Sequence, residues 1–354
     1  MKISFVLPSI GRSGGIDVVY KYAYNFKNRG HDVIIYKELF VRNRHLYKSS
    51  VLNFIHQIYC STKAFYEMIF HHNSIDKYVL KINDLFVEKS DIIIATAWPT
   101  AYSVNKLSDS KGKKIYFIQD FEIWDDKQNG LMSYKLPLDK IVISKWINDQ
   151  LYENLKIGPY PIIYNGLDTY TYHITNDRNF TNKRLNFLML NHTLPKKGVK
   201  YGLAAFKKVR EKYPDARLTM FGFCDNKNLP DYVSYYQNPS KEKIIQLYNE
   251  SDIFIFPSIE EGWGLTPLEA MACGCIVVGT KTGFVLDLGI NEENMMISNP
   301  RDIDRMVYNI EKIIKDDILA KKIYQQQIET VKKLDWNKSS TRFLSLLQER
   351  QNER

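Results

Sequence analysis

Glu260-Glu261-Gly262-Trp263-Gly264-Leu265-Thr266-Pro267-Leu268-Glu269-Ala270-Met271-Ala272-Cys273-Gly274 packs more backbone and charge constraint into one place than any other part of this 354-residue chain. It follows Ile253-Phe254-Ile255-Phe256-Pro257, a short apolar run that reads as a buried strand, and it leads into a helix. Thr266 suits the N-cap, Pro267 the first helical position, and Glu269 stands three residues after that cap, so a capping box between Thr266 and Glu269 is the plain structural reading. That reading leaves Glu261 and the glycines flanking Trp263 without a purpose. Free amides at a helix start attract phosphate, and two carboxylates bracketing them suit a ligand with both phosphate and hydroxyls. A nucleotide sugar is such a ligand.

Working outward, short apolar runs alternate with helical stretches in both halves, the pattern of doubly wound parallel sheets. Strands are expected at residues 3–7, 33–36, 91–96, 114–118, 140–143 and 161–164, and again at 185–190, 217–221, 233–236, 253–256, 276–279 and 295–298. The fold class is therefore α/β, with two Rossmann-like domains. We expect them at 1–168 and 169–336, joined through a polar, aperiodic stretch at 170–183, with a terminal helix over about 337–354 returning to the first.

The chain can bury a large core, and none of its apolar runs approaches the roughly 18 residues needed to span a bilayer. The start, Met1 to Pro8, reads as the first strand rather than a secretory signal, and the four cysteines read as buried free thiols in a reducing cytoplasm. A net charge of +9 suits anionic substrates or an anionic membrane surface; the chain carries no nucleic-acid-binding motif, so nucleic acid is not an expected partner.

Candidate site residues follow the strand ends. After the first strand, Gly14 and Gly15 lead a helix expected at 16–27; such a loop can cradle phosphate, although Gly11, Gly14 and Gly15 do not have dinucleotide-fingerprint spacing. Ile118-Gln119-Asp120-Phe121-Glu122 ends another strand, making Asp120 and Glu122 candidates to bind acceptor hydroxyls or polarise the attacking one. N-capping by Asp125 or Asp126, or a divalent metal among these acids, competes with that reading. His192 to Gly198 places two lysines before a helix start, either an anion site or a solvated charge pair, and Lys281-Thr282-Gly283-Phe284 follows the strand next to the opening stretch. Asp302 and Asp304 read as a helix start. Residues 39–89 are aromatic, basic and helical in tendency; Phe54, Tyr59, Phe65, Tyr66 and Phe70 are spaced as a core face, with an acceptor- or membrane-facing surface as the alternative. Tyr47 and the His71-His72 pair fall in the same region, and the pair has no nearby carboxylate or cysteine to share a metal.

From Glu261 to Gly274 the sequence resembles the paired-glutamate motif of family 4 glycosyltransferases, with seven residues between Glu261 and Glu269. Lys197-Gly198, the strand before Pro257 and Asn165-Gly166-Leu167-Asp168 add to the likeness. The resemblance implies a GT-B fold of two facing Rossmann-like domains with a crevice between them. It also implies a retaining, metal-independent hexosyl transfer from a nucleoside-diphosphate sugar to a glycan or lipid-linked acceptor in cell-surface polysaccharide synthesis, at the cytoplasmic membrane face. By the same resemblance Glu269 holds the ribose, while Gly262 to Thr266, that is Gly262, Trp263, Gly264, Leu265 and Thr266, receive the donor. Glu261 contacts the transferred sugar, Lys197 neutralises the leaving diphosphate, and Gly14 and Gly15 approach it from the first domain. His192 stands where the family usually has an arginine, and Gln119 where it often has a histidine. The run from Ile118 to Glu122 is similar to rhamnosyltransferases of bacterial surface-polysaccharide assembly. A nucleotide-sugar epimerase and a catalytically silent nucleotide-sugar-binding partner are the alternatives.

Overall fold

A computed structural model describes residues 1–8, 13–40, 49–70, 73–175 and 185–352. Two compact units emerge: Met1–Ile143, Ile147–Asn165 and Trp336–Arg354 form one, and Ser144–Trp146 with Gly166–Asp335 the other. Gly11, Tyr47, the His71-His72 pair and most of the expected linker lie outside the described residues.

In the first unit six parallel strands, β1 (Lys2–Val6), β2 (Asp32–Glu38), β3 (Asp76–Val79), β4 (Ile92–Ala95), β5 (Lys113–Ile118) and β6 (Asp139–Val142), run in the order β3-β2-β1-β4-β5-β6. The central strands are apolar because both faces are covered, as a parallel sheet requires; Ile92, Ile93 and Ile94 are all fully buried. Helices α1 (Gly14–Asn28), α2 (Ser50–Phe70), α3 (Trp98–Asn105) and α4 (Lys127–Ser133) lie between them, and α5 (Lys145–Leu155) follows β6.

The second unit repeats the scheme. β7 (Asn186–Leu190), β8 (Arg217–Gly222), β9 (Val233–Gln237), β10 (Ile253–Phe256), β11 (Ile276–Thr280) and β12 (Met296–Ser298) form a sheet of order β12-β11-β10-β7-β8-β9. Its helices are α6 (Val199–Lys212), α7 (Lys241–Glu250), α8 (Leu265–Ala272), α9 (Val285–Leu288), α10 (Ile303–Lys315) and α11 (Asp317–Lys332). The last helix, α12 (Trp336–Asn352), packs on α1 of the first unit, where Tyr22 meets the rings of Trp336 and Phe343 edge-on at 5.2 and 5.0 Å.

Three expectations are corrected. Residues 161–164 make only an isolated bridge, Val142 to Ile162, because Pro161 cannot donate to a ladder. Strand β3 was not expected, being an edge strand whose one buried apolar residue is Val79. The aromatic face of 50–70 is not core: Phe54, Tyr59, Tyr66 and Phe70 are more than half exposed.

Candidate functional site

In a doubly wound sheet, ligands bind beyond the carboxyl ends of the strands, where the strand order reverses. In the second unit that reversal lies between β10 and β7. The loops leaving these two strands and the neighbouring β11 carry most of the residues singled out from the sequence.

The loop after β7 and the loop after β10 are fastened by backbone. Lys196 O accepts hydrogen bonds from Ile259 N at 2.7 Å and Glu260 N at 3.3 Å. Gly198, at φ +65°, caps α6 and lies so close to Pro257 that a Cβ would sit 2.0 Å from that carbonyl oxygen. This close approach brings Lys197 to Glu261: Nζ donates to Oε1 at 2.8 Å and to Oε2 at 2.6 Å. Ser258 Oγ adds a longer bond to Glu261 Oε2, 3.4 Å. Lys197 is therefore not a solvated loop charge. The loop after β11 closes the other side, with Phe284 N donating to Trp263 O at 2.8 Å and the Trp263 and Phe284 rings meeting at 6.2 Å. Gly283 is required there, since at φ +57° its Cβ would stand 2.4 Å from Trp263 O.

Helix α8 begins earlier than expected. Its cap is Gly264, at φ +98°, so Thr266 is the second helical residue and the expected capping box with Glu269 does not form. Glu269 instead faces inward, accepting from Tyr248 OH at 3.1 Å. The amides of Leu265 and Thr266 end the helix beside Glu261, the place where a helix attracts anions. His192 Nδ1 accepts from Leu194 N at 3.0 Å.

In the first unit the order reverses between β1 and β4. Ser13 caps α1, its Oγ accepting from Ile16 N at 3.3 Å, so Gly14 and Gly15 are the first helical residues. A Cβ on Gly15 would lie 3.6 Å from the Gln119 amide, and among the described residues the buried Gln119 Oε1 has no hydrogen-bond partner. Asp120 is partly exposed, with Oδ1 accepting from Phe121 N at 2.9 Å. Glu122 is not presented to solvent: it is buried, and Oε2 accepts from Trp98 N at 2.7 Å and Tyr116 OH at 3.2 Å. Its carboxylate satisfies the start of α3, a structural task the sequence reading missed. Asp126 caps α4 and Asp302 caps α10, as helix starts predict.

Residues 173–330 match the family model described as glycosyl transferases group 1. That segment, a little under half of the chain, is similar to group 1 glycosyl transferases. An uncharacterised glycosyltransferase of Methanocaldococcus jannaschii is 27% identical over 206 residues, 56% of this chain and 56% of that protein. The capsular polysaccharide biosynthesis glycosyltransferase CapM of Staphylococcus aureus is 29% identical over 136 residues, 36% of each chain. The matched segment thus spans about half, or less, of these relatives. Among solved structures, Anabaena HepE in complex with UDP and glucose superposes with a TM-score of 0.73 at 15% identity, covering 99% of this chain and 100% of that one. Likeness at that identity is a likeness of fold, and the fold class is GT-B, with a six-stranded parallel sheet in each unit.

Electrostatics single out two groups in the matched segment. Burial raises the Glu269 carboxyl to about 7, and hydrogen bonds from Tyr248 and Tyr172 offset part of that rise. Burial, with the Lys197 charge second, lowers the His192 pKa, while Glu261 opposes the shift. His192 is therefore neutral at pH 7 and adds no charge where the family usually has arginine. Tyr172, Tyr248 and Ser258 position the two glutamates without having been singled out; Tyr172 sat in the stretch read as linker, and Tyr248 and Ser258 in ordinary helix and strand-end positions.

Proposed function

We propose that this glycosyltransferase moves a hexosyl group, with rhamnosyl as one candidate, from a nucleoside-diphosphate sugar to a glycan or lipid-linked acceptor used in surface-polysaccharide synthesis. The transfer retains anomeric configuration and uses no metal ion. The observation that supports this reading best is the Lys197–Glu261 pair standing beside the start of α8 at the sheet's switch point.

In this reading the diphosphate lies against the amides of Leu265 and Thr266, and Lys197 turns from Glu261 to the phosphate oxygens. The freed Glu261 then takes sugar hydroxyls, and Glu269 takes the ribose. As the glycosidic bond breaks, negative charge grows on the leaving diphosphate, where a fixed cation and helix amides stabilise it most. The pairing of Lys197 with Glu261 holds both side chains in place beforehand and keeps either from being an uncompensated charge. Within the first unit taken by itself, the start of α1 at Gly14 and Gly15 is a place where amides attract an anion, and Asp120 is the group we assign to the acceptor hydroxyl. Glu122 drops out of that role because its carboxylate is taken by α3 and Tyr116. Capsular polysaccharide biosynthesis by CapM, and the UDP and glucose held by HepE, are in keeping with the proposal.

The test is slow hydrolysis of a panel of nucleotide sugars by the purified protein, followed by NMR with and without a chelator. We expect one donor to yield free sugar of retained configuration, unaffected by chelation. Glu261→Ala is expected to lower that turnover at least about a hundredfold with a far smaller effect on melting. A protein that hydrolyses none of the panel, or a Glu261→Ala variant with full specific activity, contradicts the proposal; an epimerised nucleotide sugar as the product would instead mark an epimerase.

A further inference from the structure

Helix α2 has its apolar side facing away from the protein. The side against the sheet carries small and polar residues, with Asn53, Ser61 and Ala64 buried and Cys60 and Met68 packed beside Leu39 and Tyr78. The opposite side carries Phe54, Ile55, Ile58, Tyr59, Ile69 and Phe70, each more than half exposed. At 3.6 residues per turn the exposed apolar positions sweep an arc of about 160°. A single exposed leucine needs no explanation, but an apolar face running the length of a 21-residue helix does.

We propose that α2 is a membrane-surface helix, lying along an anionic bilayer with this arc among the acyl chains. Charge is the first argument. Lys63 is exposed at the edge of the arc, and the helix's one acid, Glu67, faces inward, where its charge acts on Tyr78. Phe40 meets Phe65 edge-on at 6.2 Å and also lines a cavity with the exposed Lys81 and Lys106 and the less exposed Glu38, so cations outnumber acids beside the apolar face. The sequence just before the helix, residues 41–48, adds Arg42, Arg44 and Lys48 and no acid, within a chain of net charge +9. Geometry is the second argument. A partner helix covers a narrow seam, whereas an arc this broad matches a helix half-sunk in the headgroup and acyl boundary. Tyr59 and Tyr66 lie toward one margin, where tyrosine hydroxyls meet headgroups. Among the described residues no helix is long and apolar enough to cross the membrane, so α2 lies on it.

The test is co-sedimentation of the full chain with vesicles of phosphatidylcholine, and of equal parts phosphatidylcholine and phosphatidylglycerol. We expect pelleting with the mixed vesicles, little with phosphatidylcholine alone, and release as salt is raised. Phe54→Asp combined with Ile58→Asp is expected to weaken binding at least about tenfold without moving the circular-dichroism melting curve, since both positions are exposed. Should that variant unfold, Ile69→Ser with Phe70→Ser in the last turn reads the same face. Wild type that stays in the supernatant with mixed vesicles overturns the proposal, as does a folded variant that pellets like wild type. A dimer seen by light scattering and lost in these variants, with no vesicle binding, also overturns it and assigns the face to a second copy of the chain.

Discussion

Glu269 is where the physical argument has the most direct consequence. Burial holds its carboxyl at about 7, against 4.5 in the unfolded chain. Below pH 4.5 both states are protonated and the group has no effect. Between 4.5 and about 7 the unfolded chain releases its proton first, so stability falls as pH rises, and above 7 the full loss persists, on the order of 3 kcal/mol. Glu269→Gln removes the loss. In the empty protein the variant's melting temperature should gain on wild type between pH 5 and pH 8; a difference constant with pH would show that Glu269 is not buried as described. At this scale both glutamates, Lys197 and the helix-capping aspartates stand out in the sequence because each sits at a marked strand end or helix start, and the structure brings Lys197 to Glu261. It did not separate Asp120 from Glu122. Two acids two residues apart on one loop look alike until the backbone turns one of them inward onto Trp98 N.

The elements around the site depend on two glycines, Gly198 and Gly283, whose conformation no other residue takes up readily. Gly198 meets Pro257 O so closely that Gly198→Ala must displace either α6 or the end of β10, and with it Lys197. We expect a loss of about 2–4 kcal/mol in urea denaturation. Gly30 is the control: it has φ +83° and nothing within 4 Å of where a Cβ would stand, so Gly30→Ala should cost only about 1 kcal/mol. Equal losses at Gly198 and Gly30 would refute the close-packing account. Strands of the second unit were legible almost to the residue: β10 and β11 are apolar runs buried throughout, and even the largely exposed edge strand β9 is set off by its flanking turns. Element ends were less so. Gly264 rather than Thr266 caps α8 because the loop enters the helix through a left-handed residue, and sequence shows a glycine without showing its φ. β3 was missed because an edge strand needs little apolar patterning; its Asp76 is instead held by Lys37 at 3.0 Å. The face of α2 was misread for a related reason, as the same helical period marks a face turned to a core and one turned to lipid.

For the whole molecule, alternating apolar runs made two parallel α/β sheets legible, and the likeness to solved structures extends over nearly the full chain. One sheet's switch point gathers the paired-glutamate stretch with Lys197, which is why the proposed donor side could be read from the sequence. The acceptor side stayed less legible, since its residues lie on loops whose chemistry varies with the acceptor. The proposed diphosphate donor and the proposed anionic bilayer both call for an excess of positive charge. The donor claim can be isolated from both the acceptor and the membrane by titration calorimetry of the full chain with UDP, GDP, ADP and dTDP. We predict saturable one-site binding of at least one of them, weakened about ten- to a hundredfold in Glu269→Ala, as loss of a carboxylate bound to ribose hydroxyls requires. No binding by any of the four, or equal affinity in wild type and Glu269→Ala, would contradict it.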